Sequence, residues 1–116
     1  GGERSPQDWK EEGNKLKKAG LLTAAKMAYQ NGIAAYNTND SNATPNCIQA
    51  LHSNLSLVFQ KMNLWGEAER HCTLALDIEN CAPTPKIYFR RAVSREHMFE
   101  EKYSVGDGHD DNNDDV

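Results

Sequence analysis

The chain has 116 residues, of which 38% are hydrophobic and 26% are charged, and these values are typical of one small globular domain. The net charge is −4, but five of the acidic residues lie in 104–116, and residues 1–103 hold twelve acidic against thirteen basic residues. This near-neutral body excludes the basic surface of a nucleic-acid-binding domain. No apolar run approaches the roughly 18 residues of a membrane helix.

The cysteines indicate neither a disulfide framework nor a zinc site. Cys47, Cys72 and Cys81 are odd in number and irregularly spaced. The sequence also lacks Cys-x2-Cys and His-x3-His pairs. Free thiols favour a reducing compartment, the cytoplasm, with the nucleus as the alternative. Because there is also no nucleophile–base pair or phosphate-binding loop, we expect neither an enzyme nor a cofactor.

Two amphipathic helices are predicted first. One starts at Ser5-Pro6, since Pro is favoured at the first helical position, and it ends near Gly20. The next runs from about 21 to 37. Their apolar or small positions recur at helical spacing and are expected to face inward: Trp9, Gly13, Leu16 and Gly20, then Leu21, Ala25, Ala28, Tyr29, Gly32 and Tyr36.

A polar loop over 37–45 separates this pair from a second pair of helices. The third helix precedes a short turn at 63–66, and the fourth runs from about 65 to 78. The expected inward positions are Leu51, Leu55, Val58, Phe59 and Met62, then Ala68, Cys72, Ala75 and Ile78.

A fifth helix is predicted after the break at 81–85. Its expected inward face carries Tyr88, Ala92, Phe99 and Tyr103, and its expected polar outward face carries Arg91, Arg95, Glu96 and Lys102. The aromatic residues Trp9, Tyr29, Tyr36 and Phe99 are interpreted as core. Residues 104–116 are too polar to offset their ordering entropy, so we expect a disordered acidic tail.

The two helix pairs repeat one pattern. Trp9 and Gly13, followed by Ala25-x3-Tyr29, match positions that recur in the second pair at Ser56 and Ala68-x3-Cys72. This pattern resembles the tetratricopeptide repeat (TPR), over about residues 6–103. The resemblance implies an all-α fold of two TPR helix-turn-helix repeats plus a C-terminal capping helix, as a short right-handed superhelix. The expected boundaries are an N-terminal tail over 1–5, repeats over about 6–38 and 46–79, a capping helix over about 84–103 and the tail over 104–116.

Polar residues on the first helix of each unit carry a more specific resemblance. Lys10 and Asn14, and likewise Lys86 and Arg90, are four residues apart and share a helix face. With Asn54 they are similar to the two-carboxylate clamp of chaperone-binding TPR domains, which holds the terminal carboxylate and the last Asp side chain of a peptide. Lys61 matches an accessory basic position of that family.

The resemblance implies a cochaperone that binds the C-terminal Glu-Glu-Val-Asp-type peptide of heat-shock protein 90, heat-shock protein 70 or both. It is similar to small two-repeat cochaperones of R2TP assembly and to the TPR domain of immunophilin cochaperones. We expect a monomer that binds neither nucleic acid nor membrane, with client or assembly-complex proteins as further partners. Two alternatives remain open: a generic TPR scaffold with a different partner, and the TPR fragment of a larger immunophilin-type prolyl isomerase.

Overall fold

Local signals in the sequence set where the helices begin. A computed structural model describes the backbone of residues 4–38, 43–82 and 84–114, and the side chains of 4–37, 43–82 and 84–103. This part of the chain is all-α. Its helices are α1 (Pro6–Lys18), α2 (Leu22–Thr38), α3 (Pro45–Lys61), α4 (Trp65–Leu76) and α5 (Pro85–Asp114). None of them is long and apolar enough to cross a membrane.

Two of the helix starts are fixed by side-chain caps and by proline. Ser5 accepts a hydrogen bond from the Asp8 N–H, and the Asp8 carboxylate accepts one from the Ser5 N–H, which completes a capping box. Ser5, assigned from sequence to the N-terminal tail, is therefore the N-cap of α1. Thr44 caps α3 in the same way through the Cys47 N–H. Pro6 and Pro45 each follow their cap directly, as predicted for Pro6.

Both helix pairs turn through the same C-terminal motif. After α1, Gly20 has a φ of 82°, and the Leu21 N–H donates to the Leu16 carbonyl. After α3, Asn63 has a φ of 62°, and the Leu64 N–H donates to the Phe59 carbonyl. These are Schellman motifs, in which a residue in the left-handed region reverses the chain and satisfies the last carbonyls.

The core lies between the two helix pairs, largely as the periodicity predicts. The fully buried side chains of this cluster include Ala25, Tyr29, Leu51, Leu55, Val58 and Ala68. Cys72 and Ala75 of α4 pack with Ile87 of α5 in a second cluster. One predicted core position is wrong: Leu21 is 55% exposed, because it lies in the turn before α2.

The small residues of the first pair allow close helix contact. A Cβ at Gly13 would lie 2.5 Å from Cε1 of Tyr29, and one at Gly32 would lie 2.8 Å from Cδ2 of Leu51. Neither site has room for a side chain. Gly13 therefore fixes how closely α1 approaches α2, and Gly32 how closely α2 approaches α3.

The predicted inward face of α5 is wrong. Tyr88 and Tyr103 are about half exposed, Phe99 is 60% exposed, and Ala92 is also exposed. The buried face instead carries Ile87 and Ser94. The interpretation of Phe99 as a core residue is wrong for the same reason. The helix turned over because a polar contact orients it. Gln60 of α3 donates through Nε2 to the Arg90 carbonyl (3.0 Å) and to the Ser94 hydroxyl (2.9 Å).

The outer side of α5 is correspondingly less polar than predicted. Arg95 forms an ion pair with Glu69 of α4 at 2.9 Å, and Arg91 is only partly exposed. The predicted end of the helix near 103 also differs, since α5 continues to Asp114. Adding residues to an existing helix costs less than starting one, so a sequence of weak propensity can extend it. Residues 115 and 116 of the predicted tail lie outside the described residues.

A buried pair of histidines joins α3 to α4. Nδ1 of His52 lies 2.9 Å from Nδ1 of His71, and the rings stack. An N–H of Arg70 lies 3.2 Å from Nε2 of His71. Because Arg only donates, His71 accepts at Nε2 and donates from Nδ1 to His52. Burial is the main cause that lowers the pKa of each histidine to about 4.

Candidate peptide-binding groove

The two asparagines predicted from sequence contact each other. Asn14 of α1 and Asn54 of α3 are joined by a hydrogen bond of 3.3 Å from Asn54 Nδ2 to Asn14 Oδ1. The buried Tyr29 hydroxyl donates a short hydrogen bond to the same oxygen. This oxygen is therefore doubly occupied, which orients the amide and leaves the Asn14 N–H groups outside both bonds. Asn54 likewise keeps one N–H beyond the bond to Asn14.

Arg90 is held against α3 by part of its guanidinium. Its Nη1 donates to the Ser53 carbonyl (2.9 Å) and to the Ser53 hydroxyl (2.7 Å). Burial is the main cause that lowers the pKa of Arg90. A guanidinium stays charged in proteins, so a partly buried Arg with donors to spare is a strong anion ligand.

Four cations act on one another beside the asparagines. The pKa of Lys17 is lowered, first by burial and then by the charges of Arg90, Lys61 and Lys86. These side chains come from α1, α3 and α5. The charges that lower the pKa of Lys17 include no compensating carboxylate in the described part of the chain. Such a group of like charges costs free energy that a bound anion would recover.

Lys10 stands apart from this group. Its side chain is partly exposed on α1, one turn before Asn14. Its charge acts on the Cys47 thiol near the start of α3, where it lowers the pKa that burial raises. Of the six residues predicted from sequence, the structure thus brings Lys61, Lys86 and Arg90 into one electrostatic group and Asn14 and Asn54 into contact.

A cavity of about 150 Å³ opens beside Asn54 and Lys86. It lies between α3 and the start of α5, and its lining residues are Gln49, Ala50, Ser53, Asn54, Thr84, Lys86 and Ile87. Gln49 shapes its floor, since Nε2 donates to the Ala75 carbonyl (3.3 Å) and the Ala82 carbonyl (3.2 Å). The Thr84 hydroxyl is buried and has no hydrogen-bond partner among the described residues. The cavity therefore offers a polar atom to a bound group.

Sequence reasoning missed three residues of this surface. Lys17 follows Asn14 by three residues and Lys10 by seven, so helical spacing alone places all three on one face of α1. That signal was available in the sequence. No such signal marks Ser53 or Thr84, because their roles depend on where α5 lies against α3.

The groove carries no sign of a metal centre. Among the described residues, no group of three or more His, Cys, Asp or Glu side chains lies together as a metal site would require. Comparison of the chain with protein-family models, with curated proteins and with solved structures found no match.

Proposed function

We propose that the chain is a tetratricopeptide-repeat adaptor that binds an acidic peptide with a free C-terminal carboxylate. The peptide class is the Glu-Glu-Val-Asp-type tail of heat-shock protein 90, heat-shock protein 70 or both. The observation that carries the proposal is the uncompensated group of Lys17, Lys61, Lys86 and Arg90 beside the Asn14–Asn54 pair.

The chemistry of this group fits two neighbouring carboxylates. A C-terminal Asp presents its main-chain and side-chain carboxylates a few ångströms apart. Lysines supply compact charge, Arg90 supplies a planar fork, and the asparagine amides donate without adding like charge. Charge-assisted hydrogen bonds of this kind are about twice as strong as neutral ones.

The cavity beside the cations supports an extended ligand. A volume of about 150 Å³ suits one side chain that precedes the terminal residue. The Thr84 hydroxyl would there gain the hydrogen-bond partner that it lacks among the described residues. An unpaired buried hydroxyl costs roughly 1–3 kcal/mol, so filling the cavity with a polar backbone group is favourable.

The experiment is a calorimetric titration with a Glu-Glu-Val-Asp peptide and its C-terminally amidated form. We expect a dissociation constant on the order of micromolar for the free acid. Amidation removes one of the two carboxylates, so its binding should fall by roughly 100-fold or more. Equal affinity for the two peptides would contradict the proposal.

A variant shows whether the groove is the site. Arg90→Ala should weaken the free-acid peptide by about 2–4 kcal/mol, as expected when one partner of a partly buried charge pair is removed. Arg70→Ala is the matched control, since Arg70 is an exposed arginine on α4 that pairs with Glu67 of its own helix. An equal loss in both variants would place the peptide elsewhere.

A further inference from the structure

The outer face of α5 carries an exposed aromatic stripe, which we define as Tyr88, Phe89, Ala92, Phe99 and Tyr103. Phe89 is 70% exposed, and the other three aromatic side chains are exposed by about half or more. Their spacing places them on one face of the helix, opposite the buried side chains of Ile87 and Ser94. In a stacked helical array this is the face that the next helix would cover.

The stripe is large for a surface that faces water. A fully buried aromatic side chain removes 150–250 Å² from solvent, so four that are half exposed or more leave roughly 400 Å² of apolar surface. Contiguous patches of this size on monomeric proteins often have an interaction function. Phe99 and Tyr103 already pack on each other, with ring centroids 4.2 Å apart, which presents them as one block.

The charges along α5 are separated into two halves. From 85 to 95 the helix carries four cations, Lys86, Arg90, Arg91 and Arg95, and no acidic residue. From 96 to 103 it carries Glu96, Glu100 and Glu101 against the single cation Lys102. A second α5 aligned antiparallel would bring each basic half beside an acidic half. A parallel alignment would oppose like charges, which is destabilising.

We propose that two copies of the chain form an antiparallel dimer through the α5 aromatic stripes, around a two-fold axis near Ser94. This alignment overlaps the helix from Pro85 to Tyr103. Phe89 then lies beside Phe99 of the second copy, and the small Ala92 near the axis lets the two helices approach closely. Arg95 also lies near the axis, but it is neutralised by Glu69 of its own copy at 2.9 Å.

The dimer replaces the expectation of a monomer and does not depend on the proposed peptide function. Arg90, which faces Ser53 of α3, lies on a different side of α5 from the stripe. The groove therefore stays open in the dimer. With flanking polar atoms the pair would bury about 1,200 Å², the low end for specific interfaces. We expect a dissociation constant of tens of micromolar, because area of this size leaves little after the cost of association.

Sedimentation velocity of the full chain from about 5 to about 300 µM tests the proposal. The wild type should shift from monomer to dimer across this range. Phe89→Ser and Phe99→Ser should each weaken dimerisation by roughly 10-fold or more, as for central aromatic residues of an interface. Met27→Ser is the matched control, because Met27 is 55% exposed on α2, away from the stripe. Circular dichroism should show unchanged helicity, since all three side chains face solvent.

Two results would overturn the proposal. One is a chain that stays monomeric up to the highest concentration, which would leave the stripe to a different protein. The other is self-association that Phe89→Ser and Phe99→Ser leave unchanged.

A spin label tests the orientation of the helices. Lys102→Cys in a Cys81→Ser background provides one exposed label, because Cys47 and Cys72 are buried. With 1.5 Å rise per residue, the two labels of an antiparallel dimer centred at Ser94 lie about 25 Å apart. A parallel dimer would hold them at about 10 Å, and that distance would contradict the antiparallel arrangement.

Discussion

Replacing Gly13 by alanine should destabilise the protein although it removes a residue that weakens helices. The added Cβ would lie 2.5 Å from Cε1, 2.6 Å from Cδ1 and 2.9 Å from Cζ of Tyr29. Carbon atoms in contact are separated by about 3.5–4.0 Å, so the ring or α1 must move by about 1 Å. Tyr29 is fully buried, and its hydroxyl is bound to Asn14, so the ring has no free space to enter.

The magnitude follows from three effects. Overpacking of a close-packed core costs about 1–3 kcal/mol. Alanine improves helix propensity by about 1 kcal/mol. A displaced Tyr29 ring loses its hydrogen bond to Asn14, which contributes about 1 kcal/mol. The last two nearly cancel, so the free energy of unfolding should fall by about 1–3 kcal/mol and Tm by roughly 5–10 °C.

Gly66→Ala supplies the matched control. Gly66 lies in the first turn of α4, and a Cβ there meets nothing within 4 Å. The same chemical change should therefore be neutral or stabilising, by up to about 1 kcal/mol. Urea denaturation followed by circular dichroism compares the two variants with the wild type. If Gly13→Ala were as stable as Gly66→Ala, the close contact between α1 and α2 would not exist.

Three further predictions concern pH, charge and capping. The pKa values of His52 and His71 are lowered to about 4, and a depressed histidine stabilises the fold at neutral pH and loses that contribution as pH falls. The urea midpoint should therefore drop between pH 7 and pH 5, by up to about 2 kcal/mol per histidine, and His71→Gln should flatten this dependence; an unchanged midpoint would contradict it. Lys17→Gln should weaken the acidic peptide several-fold at low salt and less at high salt, whereas Lys18→Gln, on an exposed position of α1, should have little effect in the same titration. Ser5→Ala should lower the free energy of unfolding by about 1 kcal/mol, measured by urea denaturation, because it removes the capping box; equal stability would show that the cap contributes nothing.

Much of the fold is decided by local chemistry that can be read in the sequence. Proline after Ser5 marks a helix start, and Gly20 takes the left-handed conformation that ends α1. The 3.6-residue spacing of apolar positions identified the buried faces of α2, α3 and α4, because hydrophobic burial selects one face of each helix. These features depend on neighbours along the chain, so no knowledge of the packing is needed to infer them.

The α5 helix shows where that reasoning stops. Its most apolar face, with Phe89 and Phe99, is the one that spacing would bury, yet it is exposed. The opposite face packs instead, because the Ser94 hydroxyl and the Arg90 carbonyl both accept from Gln60 of α3. A hydrogen bond between residues thirty or more positions apart leaves no periodic trace in the sequence.

The groove divides in the same way. Helical spacing alone places Lys10, Asn14 and Lys17 on one face of α1. Which of these residues meet the cations of α3 and α5 was decided by tertiary packing: Lys17 joins Arg90, whereas Lys10 acts on Cys47. The physical reason is that sequence spacing determines direction within one helix, but the distance between charges on different helices depends on how those helices pack.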